Sequence, residues 1–236
     1  IYRNRFGNGQ DFGFVLSGNF EVERIIPLIQ KYLGSLPSKD IEVESLKRNY
    51  QVSRRNVKRT FHGRLDSNDA TVQLIYRNVG DTRSDHLTME TMAHAMEIML
   101  GQRLRRQNGG TYMVTVSYRK EQPGGHGFFV DFDCDPKDVE KMIDDVSKVI
   151  NEMTSGGMPP AVVQNAIAIR KQVLDKEMMD SRFWPNYIKG QVREGRDLSE
   201  IVQQELHLEQ ITSGSLQRSS KRFFRQAQRM EFVLLP

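Results

Sequence analysis

The chain has 236 residues, of which 38% are hydrophobic and 27% charged, with a formal net charge of +4. That length supplies one large domain, or one domain and part of another, and the composition is far from that of a disordered chain. One cysteine, Cys134, excludes a disulfide framework and a cysteine-rich zinc site, and no run is long and apolar enough to span a membrane.

In chain order, Asp11 to Ser17 (DFGFVLS) predicts a buried strand. Gly18 and Asn19 turn the chain, with Asn19 as a candidate cap. A helix follows from about Glu21 to Leu33, carrying Ile25, Ile26, Leu28, Ile29 and Leu33. Pro27 inside it predicts a kink or a late start, and Gly34 and Pro37 end it. Residues 38–58 are polar, basic and weakly patterned, and read as a linker. Lys47, Arg48, Arg54, Arg55 and Lys58 fall there and Arg59 follows, with no acid between Lys47 and Arg59. Such a run could contact nucleic acid or anionic lipid. No nucleic-acid motif accompanies it, so a solvated linker is the favoured reading and nucleic acid an unlikely partner.

From about Lys58 a second strand system begins, with Thr71 to Tyr76 (TVQLIY) strong in β-propensity. Ser84 or Asp85 caps a helix whose stripe is Leu87, Met92, Ala93, Met96, Met99, Leu100 and Leu104, and the methionines read as core packing. Tyr112, Val114, Val116 and Tyr118 then alternate with polar neighbours at a strand period. Glu121 to Gly127 (EQPGGHG) reads as a hairpin-type loop, with His126 able to approach a ligand or face water. Phe128 to Cys134 returns as a strand, with Cys134 a small buried residue. Asp135-Pro136 starts another helix with a cap followed by proline, and Gly156-Gly157 stops it. A long helix spans about Pro160 to Met179, with further helices near 182–194, 198–209 and 213–227. A short apolar strand, Glu231 to Leu235, closes the sequence. Strands followed by successive helices argue for an α+β fold: a mixed, mainly antiparallel sheet with helices packed on one face.

The most specific stretch is Leu104 to Tyr112 (LRRQNGGTY). It sets Arg105 and Tyr112 around a Gly109-Gly110 bend, between a helix and a strand. Gly109 and Gly110 permit a tight turn through positive φ. Such a corner can aim two hydrogen-bonding side chains at one point outside the sheet. A guanidinium that stays protonated and a phenolic hydroxyl are both good donors to a peptide carbonyl on which negative charge develops. The competing reading makes Arg105 an exposed helix-end cation favoured by the dipole, and Tyr112 one more inward-facing strand residue.

SGNFEVERIIPLIQKYLGSLPS resembles the stretch that closes a module in the insulinase/pitrilysin family of zinc metallopeptidases. LRRQNGGTYMVTVSY resembles that family's Leu-Arg-(three residues)-Gly-(two residues)-Tyr element, and FDCDPKDVEKMI and SRFWPNYI are similar to its large bacterial branch. The shared Phe-Val-Leu of GFVLSG and EFVLLP, a short echo, reads alongside this resemblance as the same late strand of two related modules. The resemblance implies 1–37 as the C-terminal strand and helix of a preceding module, 38–58 as a basic linker, and 59–236 as a non-catalytic α+β module of the family.

It implies a clamshell endopeptidase whose N-terminal half holds zinc on His-x-x-Glu-His. This half would bind no metal or other cofactor, and Arg105 and Tyr112 would hold the backbone of a peptide substrate. The expected partners are the N-terminal catalytic half of the same polypeptide and the peptide. The resemblance suggests the bacterial periplasm or cell envelope. The nearest approach to the zinc motif is HAMEI, where His94 and Glu97 have the spacing but Ile98 takes the place of the second imidazole. Two imidazoles a helical turn apart are needed, so no metal site is expected here. A catalytically inactive scaffold of the same fold is the alternative, and a basic nucleic-acid-binding domain a weaker one.

Overall fold

The computed structural model describes residues 6–10, 12–38, 55–63, 68–79, 86–108, 113–121 and 125–236. Grouped by contact, the chain forms two units: Ile1–Asn49 with Leu174–Ile201, and Tyr50–Val173 with Val202–Pro236.

The larger unit is built on a five-stranded sheet of order β1-β5-β2-β4-β3. The strands are β1 (Val57–His62), β2 (Ala70–Val79), β3 (Val114–Glu121), β4 (Gly125–Cys134) and β5 (Gln228–Leu235). β1 runs parallel to β5, and the other neighbours are antiparallel. Ala70, Val72, Leu74 and Tyr76 of β2 are buried, and their register partners Cys134, Phe132, Val130 and Phe128 of β4 lie on the same face. Val114, Val116 and Tyr118 of β3 and Val233 of β5 complete that face. The period-2 alternation of these apolar residues commits one side of the sheet to the core.

Helices cover that side. They are α2 (His86–Asn108), α3 (Val139–Ser155), the first part of α4 (Pro160–Met179) and α7 (Ser213–Gln226). α2 buries Met89, Met92, Met96, Leu100 and Leu104, so the methionine stripe is core. α3 buries Val139, Met142, Ile143, Val146, Val149, Ile150 and Met153, a continuous stripe at helical spacing. Asp135 accepts from the Lys137 amide at 3.0 Å, and Pro136 opens a single 3-10 turn before α3. α7 starts on a reciprocal cap: Thr212 Oγ1 accepts from the Ser215 amide at 3.1 Å, and Ser215 Oγ from the Thr212 amide at 2.9 Å.

Several local expectations change. The loop placed at 121–127 is largely strand, because β3 continues to Glu121 and β4 already begins at Gly125. Residues 122–124 fall outside the described set. Gly127 is there for close approach, not for a turn: a Cβ would sit 2.7 Å from the Tyr76 carbonyl oxygen. His126 is 3% exposed and shares a 2.9 Å hydrogen bond with the Tyr118 hydroxyl through Nδ1, so it does not face water. The closing strand begins at Gln228, earlier than its apolar part suggests. β1 begins at Val57, inside the stretch read as a linker.

Lys58, from the basic run, is engaged within the fold. Its Nζ lies 2.9 Å from Glu231 and 3.0 Å from Glu140. Glu231 is a buried carboxylate that also meets Arg229 at 2.8 Å. Paired cations are what make a buried carboxylate tolerable. Lys47, Arg48 and Arg54 lie outside the described residues, as do the candidate caps Ser84 and Asp85.

Cys134 is fully buried, and burial is the main cause that pushes its thiol up to about 12, aided by the carboxylates of Asp138, Asp133, Asp135 and Asp69. The neutral thiol is therefore the native species. Its contribution to stability is intact below the unfolded-state value near 9 and is lost as pH rises from there toward 12. In the folded protein at pH 8, a thiol-reactive disulfide reagent is expected to leave Cys134 unmodified and to label it fully in denaturant. Fast labelling without denaturant contradicts the burial.

In the smaller unit, α1 (Val22–Tyr32) contains Pro27 and starts at Glu21, which makes no side-chain cap; Asn19 does not cap it. α1 buries none of its residues: Val22, Leu28 and Tyr32 are 56%, 54% and 61% exposed. Residues 12–17 form no strand, and Phe12, Phe14 and Leu16 are exposed. A strand requires a neighbour to take its backbone hydrogen bonds, and none is paired to this segment among the described residues. α5 (Phe183–Glu194) stacks Phe183 on Tyr187, with centroids 5.7 Å apart, and Trp184 Nε1 donates to the Met178 carbonyl at 3.0 Å. Gly195 ends it at φ 63°, the left-handed conformation that favours glycine. Buried Gln191 donates to the Asp197 carbonyl and to Glu200 at the start of α6 (Glu200–Glu209), both at 3.0 Å.

Candidate functional site

α2 runs to Asn108, so Arg105 lies in its last turn, and β3 starts two residues after Tyr112. A helix before residue 109 and a strand after residue 113 are as expected; the turn expected between them lies outside the described residues. The side chain of Arg105 lies outside the described residues, as do Gly109, Gly110 and Tyr112 entirely. What the structure describes is the frame on either side of them.

On the helix side, Arg103 anchors α2 to α3. One guanidinium nitrogen meets Glu152 Oε1, and the other lies 4.0 Å from Asp145 Oδ1. Asp145 is fully buried, and Lys148 approaches the same oxygen at 3.3 Å. The Arg103 and Glu152 side chains remain 22% and 50% exposed, so of the two carboxylates only Asp145 is out of solvent. On the strand side, Glu97 Oε2 of α2 accepts the backbone N–H of Val116 at 2.8 Å. Among the described residues β3 is an edge strand, paired with β4 alone, so its outward N–H groups have no strand partner there. Glu97 satisfies one of them with a charge-assisted bond. Met113, beside Tyr112, is 81% exposed.

The residues of the HAMEI stretch lie in the same helix. His94 is half-buried, and Glu97 is committed to the Val116 amide. Among the described residues, no group of three or more His, Cys, Asp or Glu side chains could hold a metal ion. Sequence reasoning reached Glu97 only as part of a failed zinc motif and did not reach Arg103. No local signal marks either, since both act through partners distant in sequence.

Residues 2–170 match the family described as the peptidase M16 inactive domain. The chain belongs to that family. No curated protein matches the sequence of this M16 inactive-domain chain. Among solved structures, it is similar to the periplasmic protease PqqL from Escherichia coli, with 20% identity and a TM-score of 0.71 over 93% of this chain and 24% of that one. A protease from Helicobacter pylori has 14% identity and a TM-score of 0.67, over 93% of this chain and 54% of that one. The ferredoxin protease FusC, solved as a mutant with Arabidopsis ferredoxin, has 13% identity and a TM-score of 0.67, over 93% and 24%. At these identities the likeness concerns the fold. The M16 chain spans about a quarter of PqqL and FusC and about half of the Helicobacter protein.

Proposed function

We propose that this M16 inactive domain is the substrate-holding portion of a zinc-dependent endopeptidase, with Arg105 and Tyr112 gripping the substrate backbone. The catalytic half, with zinc on His-x-x-Glu-His, would be the N-terminal part of the same polypeptide, closing with this part around a peptide chamber. The observation that carries the reading is the corner between α2 and β3. It occurs within a sequence that matches the family and is braced on both sides, by Arg103 with Glu152 and by Glu97 with Val116. Bracing of this kind keeps donors in place before a ligand arrives.

On the same reading, residues 1–37 close a preceding module, 38–58 are a linker, and 59–236 form the non-catalytic module. The exposed apolar side chains of Val22, Ile26, Leu28 and Tyr32 support this organisation, because a bare apolar helix face is a packing surface. PqqL is a periplasmic protease, which supports a periplasmic or envelope setting for this chain as well.

A binding experiment separates holding from cleaving. In the full polypeptide kept free of zinc, a labelled unstructured peptide binds without being cut. Tyr112→Phe removes one donor and is expected to weaken that binding by about fivefold, the scale of one net hydrogen bond. Equal affinity for wild type and variant, read by fluorescence anisotropy, counts against Tyr112 as a backbone donor.

A further inference from the structure

We propose that the outward face of α7 is a docking stripe for an anionic phospholipid surface. The stripe lies apart from the corner between α2 and β3 and does not depend on the substrate-holding reading.

α7 carries Arg218, Lys221, Arg222 and Arg225 and contains no acid. All four are exposed. Spacings of three and four residues put them on one face of the helix, while Leu216, Ser220 and Phe223 are buried on the other. Among the described residues, none of the four side chains takes part in an ion pair or a hydrogen bond. Elsewhere in the same unit cations are matched: Lys58 with Glu140, Arg103 with Glu152, Lys148 with Asp144 and Lys171 with Glu209. The formal net charge of the chain, +4, equals the charge of this stripe, so all other residues together sum to zero. The helix dipole favours Arg222 and Arg225 near the C-terminus but does nothing for Arg218. Like charges three and four residues apart repel, so alone the stripe weakens the helix that bears it. A densely anionic partner removes that repulsion.

Shape selects the partner. α7 packs against α3 and α2. Gln217 and Ser220 fasten it to α3 by donating to the Ser155 and Met153 carbonyls at 2.8 and 3.1 Å. A helix that reads duplex DNA has to stand clear of its neighbours to enter a major groove roughly 12 Å wide, and α3 flanks this one. The exposed residues of α7 include no aromatic or aliphatic side chain, so the stripe offers a peptide no anchor. A headgroup layer needs neither groove nor anchor, because each cation held close to it gains attraction separately.

The test uses the full polypeptide and vesicles of phosphatidylcholine containing about one third phosphatidylglycerol. At low ionic strength the protein is expected to co-sediment with these vesicles and not with pure phosphatidylcholine, and to be released as added salt screens the charges. Arg218→Ala and Arg222→Ala are each expected to weaken partition by about fivefold. Arg218→Glu combined with Arg222→Glu is expected to abolish it with the circular-dichroism spectrum unchanged. Arg218→Lys combined with Arg222→Lys is expected to keep it, because a headgroup layer reads charge more than the guanidinium fork. Failure to bind the anionic vesicles overturns the proposal. So does binding that survives charge reversal, since it then arises from other cations such as those of residues 47–59. Retention on polyglutamate or duplex DNA without vesicle binding gives the stripe to an acidic protein or a nucleic acid instead. Inorganic phosphate is expected to displace the protein no better than chloride at equal ionic strength, and stronger displacement marks a site for a single phosphate and overturns the lipid assignment.

Discussion

On the proposed substrate-holding reading, Arg105→Ala in the full polypeptide is expected to lower kcat/KM for peptide hydrolysis by about tenfold or more, the scale of a lost donor to developing charge. A carbonyl under attack gathers negative charge on oxygen, and a guanidinium that never deprotonates supplies donors in a fixed fork. Arg105→Lys keeps the charge but not the fork and recovers only part of the loss. The division between constants locates the contact. A fall in kcat places the interaction in the transition state, whereas a rise in KM alone places it equally in the bound substrate. If Arg105 were only a helix-end cation, its removal would cost a few tenths of a kcal/mol of stability and leave the kinetics untouched. That result would return the corner to an ordinary surface feature.

The second large effect concerns the core of the sheet. Phe128→Ala costs about 3–5 kcal/mol, as deletions of buried aromatics do. The side chain is fully buried at the centre of β4, with Phe223 at 4.8 Å, Tyr118 at 5.2 Å and Phe224 at 5.6 Å between ring centroids. Four rings from two strands and α7 meet there, so no single neighbour can move in to refill the space. Domains are stable by only about 5–15 kcal/mol, and the variant gives up a large share of that margin. Native-state hydrogen exchange along β4 reads it directly. A change below about 1 kcal/mol would mean that the ring cluster relaxes freely, contrary to its packing.

Elements with local signals were legible in the sequence. Asp135-Pro136 and the apolar spacing after it announced α3 because cap, proline and periodicity all sit within a few turns. The methionine stripe of α2 read correctly as core for the same reason. Elements defined by partners were not. Gln228 and Arg229 belong to β5 because β2 pairs with them, and Met230 because β1 and β2 flank it on opposite sides. Gly125 and His126 looked like a loop, yet pairing with both β2 and β3 makes them strand. Residues 12–17 carry strand propensity with no neighbour paired to them among the described residues, and propensity alone does not make a strand. At the corner, the succession of helix, glycines and strand was readable. The hydrogen bond from Val116 to Glu97 was not, because it depends on β3 lying at the edge of the sheet.

The parallel pairing of β1 with β5 has a consequence for how the chain reaches its native state. Arg229 donates its amide to Asn56, 173 residues away in sequence. Loops of that size close slowly, and such topologies delay assembly. During synthesis β1 must wait, unpaired and bordered by cations, until almost the whole of this stretch has left the ribosome. Lys58 and Arg59 then act as guards on a waiting edge, discouraging like strands of neighbouring nascent chains from adding to it.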